Sequence, residues 1–168
     1  MRLLFAGHET TVVQIWLGTL ALLTTSGLWQ TLLDSPALVP NAVEELLRGA
    51  APGGVGIPRY ARDDIDIDGV IIRAGDLVLL DAGAANHDPA AFPDSDLIDI
   101  GRRGAAHVSF GYGSRYCVGA ALARMELRTV FAQLIPRFPS MRLTVDPPTL
   151  RVRLYELAAG LIALPVSW

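Results

Sequence analysis

The chain of 168 residues is long enough for one domain with a substantial core, and at 51% hydrophobic and 18% charged residues it is too apolar to be disordered. A formal net charge of −3 argues against nucleic acid as the principal partner, and the 14 basic residues are all arginine, which reads as codon usage in a GC-rich genome rather than as function. Cys117 is the single cysteine, so an internal disulfide is excluded and nothing in the cysteine pattern implies export.

Residues 2–25 read as one long apolar helix, stopped by Ser26-Gly27. His8, Glu9, Thr10, Thr11 and Gln14 interrupt its apolar run, and only Arg2 precedes it. That pattern fits a buried helix with a polar site better than a signal peptide or a membrane span. A short second helix follows over "LWQTLLDSP". Pro40-Asn41 then opens a third, with Asn41 as N-cap and Glu44 three residues on completing a capping box; it ends at Gly49. "GAAPGGVGIP" is too rich in Gly and Pro for regular structure. "RYARDDIDI" and "VIIRAGDLVLL" read as short strands about an Asp68-Gly69 hairpin turn, and residues 83–109 as ordered but irregular chain. A helix returns from Val118 to Leu134, closed by Pro136, and the tail alternates like strands joined by tight turns. The fold class is mixed α+β, mainly α with small sheets, without repeats or flexible linkers.

The densest chemistry surrounds Cys117. A thiolate that ligates a metal needs positive charge or aligned N–H dipoles nearby, and Cys117 stands just before a predicted helix. Gly111 and Gly113 permit backbone geometry closed to other residues. Gly119, Ala120, Ala121 and Ala123 keep one side of the helix low enough for a broad planar ligand, and Arg115 can reach an anionic group at that ligand's edge. A zinc or redox thiol protein would need further Cys or clustered His ligands; the only histidines are His8, His87 and His107.

"FGYGSRYCVGAALAR" (110–124) resembles the heme-binding loop of the cytochrome P-450 family, F-G-x-G-x-[R/H]-x-C-x-G. Phe110, Gly111, Gly113, Arg115, Cys117 and Gly119 match it position for position. The resemblance implies heme b (iron protoporphyrin IX), with the Cys117 thiolate as axial iron ligand.

Other stretches agree in order. "AGHETT" (6–11) resembles the family's oxygen-binding helix. A helical Thr can bond the carbonyl four residues back, here Ala6 from Thr10, which loosens the ladder and, with Gly7, opens a notch for dioxygen. Glu9 would relay protons from solvent, and Thr10 would hold the water that receives them. "EELLR" places Glu45 and Arg48 on one helix face, and the family's buried E-x-x-R pair nominates Arg102 as a third, structural member, with Arg103 as the alternative. Arg59 in "IPRYA" stands where the family has an arginine for a heme propionate. His107 is open to two readings, a companion at that edge or a packed side chain. Ala6, Val55, Gly56, Leu157 and Ala158 would border the substrate space, all apolar or small.

The resemblance implies a monooxygenase that inserts one oxygen atom of O2 into a small apolar organic substrate. Electrons would come from a ferredoxin and its reductase, in a cytoplasmic setting without nucleic acid or membrane. A peroxide-using heme protein stays open beside it. The chain is expected to be a partial domain, from the oxygen-binding helix to the C-terminal strands, with the N-terminal half absent. A mean hydropathy of +0.37 is then expected from helix faces left uncovered. The alternative is a truncated, non-catalytic remnant with weak or no heme binding.

Overall fold

In a computed structural model the residues described are 2–50, 56–103, 106–153 and 160–168. Helix α1 (Arg2–Thr24) runs unbroken, and Gly27, in the left-handed region at φ +76°, turns the chain into α2 (Leu28–Asp34). A 3-10 turn, Pro36–Leu38, leads directly into α3 (Val39–Gly49). The capping box expected at Asn41 and Glu44 does not form. Pro40 sets the first turn, the N-cap is Leu38 without a side-chain bond, and Asn41 lies inside the helix. Asn41 Nδ2 instead donates to the Ile100 carbonyl, and Glu44 is engaged by arginines of another helix.

Strand β1 (Ile57–Tyr60) pairs antiparallel with β4 (Leu77–Leu80), and between them β2 (Ile65–Ile67) pairs with β3 (Val70–Ile72). Asp68 and Gly69 have φ of +50° and +86°, the double left-handed geometry of a type I′ hairpin turn. Short helix α4 (Ala82–Asn86) begins at Asp81, whose carboxylate caps Ala84 N–H; turns then carry the chain to the glycine-rich loop.

Helix α5 (Ala120–Arg137) runs past Pro136, contrary to the expected stop there. A proline in the last turn removes a bond where the ladder is already ending, and Phe138 N–H still reaches the Leu134 carbonyl at 3.1 Å. Among the described residues of the tail, β5 (Arg142–Leu143) and β6 (Val166–Ser167) are two residues each and Val152 bridges Leu161, with a 3-10 turn at Pro147–Thr149. Pro147 has no N–H to give a ladder, so the Pro-Pro pair interrupts the pattern.

Helices α1, α2, α3 and α5 share one core, centred on Leu22, Leu32, Val43, Phe131 and Ile135. Gly18 sets how closely they approach: a Cβ there would meet Phe131 Cζ at 2.8 Å and Leu46 Cδ1 at 3.3 Å. The opposite condition holds on β1 and β4, where Ile57, Tyr60, Leu77, Leu79 and Leu80 are all exposed. Among the described residues no single helix is long and apolar enough to cross a membrane.

Candidate functional site

The loop from Val108 to Gly119 closes on itself through main-chain bonds. Gly111 N–H donates to the Val108 carbonyl at 2.8 Å, Tyr116 N–H to Gly113 at 3.0 Å, and Cys117 N–H to Phe110 at 2.9 Å. Gly111 (φ +76°) and Gly113 (φ +67°) both occupy the left-handed region, so the backbone itself requires glycine there. Gly119 differs: its φ is −88°, and a Cβ would sit 3.9 Å from Cys117 Sγ, an ordinary contact. At Gly113 a Cβ would meet nothing within 4 Å. Among the described residues no neighbouring atom thus forbids a side chain at 113 or 119, and the open surface there fits a broad ligand.

Cys117 is exposed, between Tyr112 (88% exposed) and Val118 (91%). An open thiol in a loop with exposed Tyr112 and Val118, three residues before the first residue of α5, suits a flat apolar group whose metal takes a thiolate. Ala120, expected to share that low surface, is buried instead; Ala121 remains exposed.

Behind the loop lies a saturated polar brace. Arg48 is 2% exposed and uses all five N–H donors. Nε and Nη2 grip the Glu45 carboxylate at 2.9 and 2.8 Å, Nη1 donates to the Asn86 and Ser95 carbonyls, and Nη2 also donates to Leu97. The third arm comes from Arg102, whose Nε reaches Glu45 Oε1 at 3.1 Å while its Nη atoms hold the Pro93 and Asp94 carbonyls. Burial opposes ionisation of Glu45, but hydrogen bonds from Arg48, Asp99 N–H and Arg102 outweigh it and hold the carboxyl below its ordinary pKa. Asn86 links brace to loop: Oδ1 accepts from Val108 N–H, and Nδ2 donates to Ser109 Oγ, which in turn donates to Leu47 O.

Glu44, the neighbour of Glu45, organises a second cluster that sequence reasoning missed. Its carboxylate accepts from Arg124 Nε at 2.8 and 3.0 Å and from Arg128 Nη2 at 2.9 Å, and lies 3.2 Å from His107 Nε2. Burial disfavours the charge, yet these bonds from His107, Arg124 and Arg128 lower the pKa to about 2. Burial likewise works against charged Arg124, and its bonds to Tyr116 and Glu44 overcome that and raise its pKa. A cavity of about 310 Å³ between the two clusters is lined by Asn41, Glu44, Arg103, His107 and Arg124 among others. The available signal was two arginines, 124 and 128, one turn apart on α5 and in need of a common acid.

The remaining candidates are placed as follows. Thr10 Oγ1 donates to the Ala6 carbonyl at 2.6 Å and Thr11 Oγ1 to Gly7 at 2.9 Å, while α1 stays α-helical throughout. Ala6 and Thr10 are exposed, Glu9 half-buried. Arg59 is exposed on β1, its Nη1 bonded to the Pro58 carbonyl; Arg115 is exposed and stands in none of the ion pairs among the described residues. Gly56 (φ +75°) leaves room for Leu80, whose carbonyl a Cβ would meet at 3.1 Å. His107 is bound on both sides, to Glu44 and, through Nδ1, to Ser109 N–H. Val55, Leu157 and Ala158 lie outside the described residues.

Comparison with known proteins points one way. The family model of cytochrome P450 matches residues 30–155. A cytochrome P450 BJ-1 homolog of Sinorhizobium fredii is 45% identical over 99% of this chain and 42% of its own length. The mycinamicin IV hydroxylase/epoxidase of Micromonospora griseorubida is 46% identical over 99% and 42%. The crystal structure of the LnmA cytochrome P450 hydroxylase of Streptomyces atroolivaceus superposes with a TM-score of 0.91 at 44% identity, over 99% of this chain and 43% of that one. The chain therefore spans about 42% of the length of these relatives. With the family model matched over residues 30–155 and relatives at this identity along 99% of its length, the chain belongs to the cytochrome P450 family.

Proposed function

We propose that this chain forms the heme-thiolate portion of a monooxygenase acting on an apolar organic substrate. The observation behind this reading is the exposed Cys117 thiol in a closed loop with left-handed Gly111 and Gly113, next to glycine positions that no protein neighbour requires. Bound heme would supply dioxygen activation, one oxygen atom going to the substrate and the other to water, with two electrons from a ferredoxin and its reductase.

The chain's own residues divide the remaining work. Cys117 would hold the heme iron through its sulfur, and exposed Arg59 and Arg115 would offer guanidinium groups to propionates. Phe110, Gly111, Gly113 and Gly119 shape the loop around the sulfur. Glu9, half-buried, takes protons from solvent at its carboxylate. Thr10 Oγ1 has its hydrogen committed to the Ala6 carbonyl, so its lone pairs are free to hold a water that passes a proton on. Ala6 and Gly56 would border an apolar substrate space. Similarity to the mycinamicin IV hydroxylase/epoxidase makes mycinamicin IV one organic compound to try as substrate. Cytoplasmic action follows from a soluble ferredoxin donor.

The test is isotopic. The heme-loaded protein would be supplied with ferredoxin, its reductase, reduced nicotinamide and labelled dioxygen, against a panel of apolar organic compounds that includes mycinamicin IV. Product carrying one labelled oxygen atom is expected, with less product per electron consumed in Thr10→Ala. Heme-loaded protein whose products take their oxygen only from water would overturn the reading.

A further inference from the structure

Glu44 lies outside the brace and touches no loop backbone, yet one guanidinium connects it to both ends of the Cys117 loop. Arg124 Cζ lies 4.5 Å over the centroid of the Phe110 ring, and Arg124 Nη1 donates to Tyr116 Oη at 3.0 Å. Phe110 supplies the carbonyl that receives Cys117 N–H, and Tyr116 is the residue before Cys117. Phe110 and Tyr116 also lie side by side, their rings tilted at 59° with centroids 6.3 Å apart. A single planar cation thus stacks on one arm of the loop and bonds the other.

An arginine side chain has many rotamers, and one held only by stacking and a single phenol bond would sample several of them. Two-oxygen acceptance by Glu44 at 2.8 and 3.0 Å fixes the guanidinium in the orientation that serves Phe110 and Tyr116. Arg128 and His107 hold the same carboxylate from other sides. An isolated surface pair would contribute little, but this carboxylate is shared by two arginines and the His107 ring, and its principal partner is three-quarters buried. We propose that Glu44 is a positioning residue for the Cys117 loop, acting through Arg124; its consequence for sulfur ligation rests on the heme-thiolate reading above.

Three variants test this. Glu44→Gln removes the charge, Arg124→Lys keeps the ion pair but loses the plane, and Arg128→Gln removes a partner of Glu44 that meets no loop residue among the described contacts. In the heme-free chain, amide exchange at Tyr116 and Cys117 should quicken on the order of tenfold in the first two and stay unchanged in the third. Exchange at Leu46 and Leu47, inside α3, should be the same in all and report an intact fold. Loaded with heme, Glu44→Gln and Arg124→Lys should show a larger share of neutral-thiol Soret absorption in the reduced, CO-bound state. Parent-like loop exchange in both variants would overturn the proposal, and so would equal loosening by Arg128→Gln. Failure of every variant and the parent to take up heme would count against the functional reading alone, because exchange is measured without heme.

Discussion

Arg48 and Cys117 mark two regions that handle chemistry in opposite ways. Around Arg48 every donor is used within the protein, and the guanidinium is sealed from solvent. Around Cys117 the sulfur, Tyr112 and Val118 stand open, and Gly113 has no described atom where a side chain would begin. Asn86 and Ser109 join the two, from the Arg48 guanidinium through to Val108 N–H. The contrast shows how a reactive group is kept available: rigidity is placed behind the loop, so that the loop itself can remain bare on its working side.

The comparison breaks most severely at the brace. Arg48→Ala would leave Glu45 buried with Arg102 as its remaining cation, and would take their Arg48 donor from the Asn86 and Ser95 carbonyls; a loss of about 3–5 kcal/mol is expected in denaturant unfolding. In the loop the expected cost is smaller and comes from the backbone alone. Gly113→Ala meets no atom within 4 Å but must hold φ at +67°, so about 1–2 kcal/mol should be lost in the same measurement.

Glu44 gives a smaller effect with a pH signature. Its folded pKa of about 2 lies below the ordinary 4.5, so its contribution is complete above pH 4.5 and fades as pH falls toward 2. The unfolding-midpoint gap between parent and Glu44→Gln should be constant above that window and close within it; Glu45 titrates in both proteins and cancels. Smallest of all is Cys117→Ala, which removes an exposed thiol and should leave stability within about 0.5 kcal/mol of the parent.

The glycine spacing and Cys117 could be read directly, because a left-handed turn and a lone thiol are properties of residue types. Glu45 and Arg48 were readable as a pair from i, i+3 spacing, and the structure supplies what spacing cannot, namely carbonyl partners 38 to 49 residues away. Glu44 was misread for the same reason. Its sequence neighbours suggested a capping box, while its partners lie 63 to 84 residues further on. Pro136 looked like a stop because local chemistry says so, but packing of Phe131 and Ile135 carries α5 one residue beyond it.

The central claim is that Cys117 is the sulfur that holds heme. Its most direct test is the reduced, CO-bound absorption spectrum of the chain with added heme, beside that of Cys117→Ala. The account predicts a thiolate-type Soret band in the parent that is absent from the variant, at equal protein stability. Identical spectra from both proteins would contradict it.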